Sequence, residues 1–198
     1  MRIKINRRFT VIFEGEYLND KRWNGEGKEF GNYNDLIFEG EYINGIKNGK
    51  VKEYDFYGGL IFDGEYVNGE RNEKGKEYNK DKLIFEGEFL NNKKWNGTGK
   101  EYNEDNKLKY EGEYLYEEKN GKGKEYYLNG QIFFSGEYKN GQKNGKVEIY
   151  YKNGLLAFSG EYRDGKRNGI GKEYYPNGKL KYSGEYLNDQ RNWIFQKW

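Results

Sequence analysis

Residues 158–180 read F-S-G-E-Y-R-D-G-K-R-N-G-I-G-K-E-Y-Y-P-N-G-K-L, and the rest of the chain consists of copies of that stretch. Its core triplet, Gly-Glu-aromatic, begins at Gly15, Gly40, Gly64, Gly87, Gly112, Gly136, Gly160 and Gly184, so the spacings are 25, 24, 23, 25, 24, 24 and 24 residues. A fixed period in this range marks a repeat architecture. The 198 residues read as one array: an N-terminal edge strand over 1–10, eight repeats of 23–25 residues over 11–192, and an apolar tail over 193–198. Function in such an array resides on surfaces made by repetition.

The fold class follows from what each copy contains. One Ala (Ala157), 29 Gly and recurring Asn-Gly pairs leave little for a helix. The residues entering each triplet alternate instead, as in Leu36, Phe38, Gly40 and Tyr42, with Glu39 and Glu41 between them. A period of two places the Leu, the rings and the Gly on one strand face and the charges on the other. A turn such as Asn140 to Gly145 follows, then a second strand, G-I-G-K-E-Y in the copy quoted. Asn-Gly tolerates the positive φ of tight hairpins, so each copy reads as one β-hairpin and the chain as all-β. A glycine at the centre of a strand weakens it, and its recurrence between two aromatics implies that a ring from a neighbouring strand lies across the bare backbone. Whether the Glu or the Tyr of the second strand's Lys-Glu-Tyr points inward is left open.

These residues resemble the MORN (membrane occupation and recognition nexus) repeat, whose pattern runs aromatic, x, Gly, x, aromatic, then Asn-Gly, then Gly-x-Gly. Residues 11–192 follow it eight times in phase. The resemblance implies an elongated, twisted antiparallel β-meander with one hairpin per repeat, an open single-sheet solenoid, and scaffolding or membrane-apposed roles. Val51 and Val147 depart from the pattern at the second Gly of Gly-x-Gly, and Glu73 departs at the preceding Asn-Gly glycine.

Composition narrows the function classes. The 21 Tyr and 12 Phe are far too many for a disordered chain, although 34% of the residues are charged. With 35 basic against 33 acidic side chains the net charge is +2, which does not indicate nucleic acid as a partner. No Cys is present and no run approaches the ~20 apolar residues of a membrane span, so a cytoplasmic location is expected, with cytoskeletal, membrane or assembly association. His is absent as well, which removes imidazole bases and His metal sites, and without Cys there is no thiol nucleophile. All three Ser occupy one equivalent position (Ser135, Ser159, Ser183). The triplet glutamates, Glu16 through Glu185, form a ladder of equivalents, whereas an acid and a base need unlike environments. That ladder reads as a solvated face balanced by Lys28, Lys52, Lys76, Lys100, Lys124 and Lys172. The rings following it, Tyr17 through Tyr186, read as core. No enzyme, cofactor or metal is expected.

Three irregularities suggest contacts. Copies one and four carry an extra residue in the first turn, Trp23 and Trp95, which would present a ring at a turn tip. The N-terminal strand carries Arg2, Lys4, Arg7 and Arg8, either a charged edge that blocks end-to-end sheet pairing or a contact for anionic lipid. The last copy ends in Trp193, Ile194, Phe195 and Trp198, more apolar surface than one capped hairpin needs. The expected function is a non-catalytic interaction or scaffold module whose partner, another protein or a second copy, meets the C-terminal end. A peripheral membrane module and an antitoxin-like inhibitor are the alternatives.

Overall fold

A computed structural model describes residues 2–5 and 11–192. Among them there is no helix, and every element is a strand. The chain divides into two units, residues 1–97 and residues 98–198. The first holds β1 (Arg2–Ile5), β2 (Val11–Leu18), β3 (Lys21–Phe30), β4 (Leu36–Ile43), β5 (Ile46–Tyr54), β6 (Leu60–Val67), β7 (Glu70–Asn79) and β8 (Lys82–Leu90). The division falls within β9 (Lys93–Tyr102). The second holds β10 (Leu108–Leu115), β11 (Glu118–Tyr126), β12 (Ile132–Lys139), β13 (Gln142–Tyr150), β14 (Leu156–Arg163), β15 (Lys166–Tyr174), β16 (Leu180–Leu187) and β17 (Gln190–Asn192). From β1 to β8, and again from β10 to β17, each strand pairs antiparallel with the next in chain order. Each unit is thus an open meander, and neither closes into a barrel.

The recurring Asn-Gly pairs do two separate jobs. Asn140 and Gly141, with φ of 49° and 74°, form the two-residue turn between β12 and β13, as Asn44 and Gly45 do between β4 and β5. Positive φ at both positions matches the turn type whose twist suits a hairpin. The second pair, Asn144-Gly145, lies inside β13, where the ladder steps from Gly136↔Val147 to Glu137↔Asn144. Two residues of β13 have no opposite number there. Gly145, at φ 70°, supplies the left-handed backbone that this bulge requires.

The core lies on one face of each unit. Phe13, Phe62, Tyr110 and Phe134, each two residues before a triplet glycine, are 0% exposed. The rings after the glycine are buried (Tyr42, Phe89, Tyr138, Tyr186) or half-buried (Tyr17, Tyr66, Tyr114, Tyr162). Leading rings meet the trailing ring of their own copy and often that of the next, mostly edge to face: Tyr110 lies 5.7 Å from Tyr114 and 5.6 Å from Tyr138. Such pairs add roughly 0.5–1.5 kcal/mol beyond area burial. The glycines are explained differently from the expectation. A Cβ on Gly64 would come within 2.7 Å of the Gly75 Cα across the ladder and within 2.6 Å of Phe62, the ring of its own strand. Paired glycines draw the two backbones together, and the ring that crosses them belongs to the same hairpin.

Candidate functional site

Several copies build the same cluster on the aromatic face. In the second strand the glutamate of Lys-Glu-Tyr shares the ring face, since Glu53 lies opposite Phe62 and Val51 opposite Gly64. The following tyrosine turns outward, and the Tyr54 hydroxyl donates to Glu39 Oε1 at 2.6 Å. The inward glutamate reaches into the next copy. Glu53 accepts from the Tyr66 hydroxyl at 2.7 Å and from Arg71 through two guanidinium nitrogens at 2.9 and 2.8 Å. Glu29 does the same with Tyr42 and Lys47, Glu101 with Tyr114 and Lys119, and Glu125 with Tyr138 and Lys143. The cation also covers the leading ring of its own copy: the ammonium of Lys119 stands 3.8 Å from the Tyr110 ring centre and that of Lys47 3.8 Å from Phe38. The long cationic stems act as a lid, which is how a single layer buries its rings.

These clasps set the ionisation of their members. Burial pushes the Glu53 carboxyl up, but the hydrogen bonds from Arg71 and Tyr66 and the Arg71 charge outweigh it, and the group ends below the usual carboxylate range. Glu29 and Glu101 fall for the same balance of reasons. The tyrosines move the other way: burial, then the hydrogen bond and charge of Glu53, raise Tyr66 far above its ordinary value. On the outward face, burial and Glu39 push Tyr54 up to about 12.

The outward face differs from the expected charge ladder. Lys28 and Lys76 pair with Glu39 at 3.2 Å and Glu86 at 3.1 Å, the acids preceding the triplet glycine. The triplet glutamates serve the bulge instead: Glu41 accepts from the Lys50 backbone N–H, and Glu16 accepts from the Asn24 side chain. In the second unit this face forms a groove of about 800 Å³. Its floor is glycine and Val147, and Lys124, Ser135, Ser159 and Lys172 line it. Repeat phase alone could have marked Ser135 and Ser159 as replacements for Glu39 and Asp63.

Both inserted tryptophans lie within strands, Trp23 in β3 and Trp95 in β9, rather than at turn tips. The insertion changes the local register. Gly15 stands opposite Gly25, so that one extra residue is absorbed in place of the regular two, and Gly87 approaches Gly97 in the same way. Both rings are half-buried. Trp23 leans toward the next copy's turn, accepting the Gly45 N–H on its carbonyl at 2.8 Å. Beside it on that edge Leu18, Ile43 and Ile46 are each 47% exposed. Arg2 and Lys4 lie on β1, opposite Gly15 and Phe13. Arg7, Arg8, Trp193, Ile194, Phe195 and Trp198 lie outside the described residues. Among the described residues no group of three or more acidic side chains is placed to hold a metal ion, and no helix is long and apolar enough to cross a membrane.

Comparison with known families matches the MORN repeat at residues 38–50, 62–82, 134–155 and 158–179, and a MORN repeat variant at 95–116 and 119–140. Together these matches span more than half of the sequence. No curated protein matches the chain. MORN repeats are generally associated with protein or membrane-lipid interaction.

Proposed function

Because the chain belongs to the MORN repeat family, we propose that it is a non-catalytic protein-interaction or scaffold module, a component of a larger assembly. The observation that carries this reading is how the carboxylates are used. Glu29, Glu53, Glu101 and Glu125 are each committed to a tyrosine and a cation of the following copy, which makes them structural links. What remains for function is surface. Half-exposed aliphatics beside Trp23 form the sort of apolar edge that partners cover.

In this reading Trp23, Trp95 and the tail residues Trp193, Ile194, Phe195 and Trp198 anchor the partner, another protein or a second copy. Trp95→Ala should weaken that association by about 2 kcal/mol, in the range of interface tryptophans, without shifting the melting temperature. Sedimentation of the full chain against one ending at Asn192 tests the tail. Loss of assembly with an intact fold supports the reading. Unchanged assembly excludes the tail as the contact, and salt-sensitive binding to anionic vesicles through Arg2, Lys4, Arg7 and Arg8 would favour the membrane alternative.

A further inference from the structure

We propose that Asn48 is a site of spontaneous covalent modification: it loses ammonia through a cyclic imide with Gly49 and takes up water to become aspartyl or isoaspartyl. The inference goes beyond the interaction reading and does not depend on it. The sequence holds twelve Asn-Gly pairs. This dipeptide suits the reaction, because glycine has no side chain to shield its nitrogen from the asparagine amide. The fold makes the twelve unequal.

In the turns the glycine nitrogen is committed to the backbone. The N–H of Gly45 donates to the Trp23 carbonyl at 2.8 Å, that of Gly69 to Lys47 at 2.9 Å and that of Gly141 to Lys119 at 2.9 Å. Gly130, Gly154 and Gly178 donate likewise to the Tyr127, Tyr151 and Tyr175 carbonyls. At the first bulge the asparagine side chain is the group that is held, Asn24 donating to Glu16 and accepting from the Asn44 N–H. At Asn48 the two halves of the pair meet each other. The Gly49 N–H donates to Asn48 Oδ1 at 2.9 Å, so the nitrogen lies against the amide that it would attack, one bond from the carbon. Reacting atoms need to stand about 3–3.5 Å apart, and this contact holds them near that range. Glu41 keeps the bulge in this form: its carboxylate lies against Gly49 and accepts the Lys50 N–H at 3.3 Å. Asn48 and Gly49 are only half-buried, which admits water.

The step needs no oxidant and no cofactor. The Gly49 nitrogen gives up its proton and bonds to Asn48 Cγ, the Cγ–Nδ2 bond breaks, and Nδ2 leaves as ammonia with one proton gained. Water then opens the five-membered imide. Opening at Cγ leaves aspartate, and opening at the backbone carbonyl leaves isoaspartate, whose main chain is one carbon longer. Either product sets a new carboxylate in the bulge beside Glu41, two residues from the half-exposed Ile46.

The chain carries its own controls, since Lys-Asn-Gly-Lys recurs at 47–50, 119–122 and 143–146. Among the described residues Asn120 and Asn144 make no bond of the Asn48 kind to the following N–H. The test is to incubate the full chain in warm, mildly alkaline buffer, folded and in urea, and to quantify aspartate and isoaspartate at each site by peptide mass spectrometry. In the folded chain conversion at Asn48 should run about tenfold faster than at Asn44, Asn68 and Asn140, and about threefold faster than at Asn120 and Asn144. In urea the three identical tetrapeptides should react at one rate. Conversion at Asn48 in the folded chain no faster than at Asn120, Asn144 or the turn asparagines overturns the proposal, as does a lead that persists in urea.

Discussion

Ile149 faces Phe158 across the β13–β14 ladder, at the place where Glu125 faces Phe134 one copy earlier. The glutamate that the clasp needs is missing at this junction. Tyr162 makes no hydrogen bond among the described residues, and Arg167 turns to Glu173 of its own copy and to Asp189 of the next. Ile149→Glu should restore an acceptor for Tyr162 and stabilise the protein by about 1 kcal/mol at neutral pH, the usual net worth of a hydrogen bond. Urea denaturation checks this. Glu53→Ala should do the opposite, costing about 2–3 kcal/mol because it strands both Arg71 and Tyr66.

Stability should fall at both ends of the pH scale. Glu29, Glu53 and Glu101 have folded pKa values below the ordinary carboxylate value of 4.5, so they bind fewer protons folded than unfolded. Their contribution is present above that value and is lost as the pH drops through the depressed folded values. Tyr54 and Tyr126, raised from 10 to about 12, contribute stability that is whole below pH 10 and is lost as the pH rises toward 12. Denaturant midpoints should be flat near neutrality and drop below about pH 4.5. Ionisation of Tyr54 and Tyr126, followed through their ring NMR signals, should rise together with unfolding. Titration of the Tyr54 or Tyr126 ring near pH 10 in the folded protein, resolved by NMR, would show that their hydroxyl bonds to Glu39 and Glu111 do not form.

The turn between β10 and β11 uses Tyr116 and Glu117, at φ of 51° and 67°, where sister copies use Asn-Gly. Left-handed backbone costs an ordinary residue about 1–2 kcal/mol. Replacing the pair with Asn-Gly should raise the unfolding free energy by about that amount, measured by denaturant titration, and leave the circular dichroism spectrum unchanged.

Two glycines should respond to alanine for different reasons. A Cβ on Gly75 would come within 2.7 Å of Phe62, so Gly75→Ala should cost about 1–3 kcal/mol through overpacking. Gly141 has nothing within 4 Å but sits at φ 74°, so Gly141→Ala should cost about 1 kcal/mol from backbone strain alone. Thermal melts of the two variants separate the effects.

The hairpin, its period and the ring face were legible because alternation and Asn-Gly act locally, within one copy. The clasp was not. Glu53 meets Tyr66 and Arg71 only after neighbouring copies pair, and a residue preceding an aromatic in a strand gives no local sign of its face once a bulge has shifted the alternation. The same bulge concealed the triplet glutamates' role and moved Trp23 from turn to strand, because one inserted residue was absorbed by register rather than by loop length.

The proposed function requires this array to hold a protein partner. Crosslinking mass spectrometry on the full chain in its native source tests it most directly. The predicted result is a reproducible set of crosslinks to one partner protein, or to a second copy, at near-equal stoichiometry and persisting in high salt. A chain that crosslinks only within itself, and that fractionates with membranes until salt releases it, would contradict the claim.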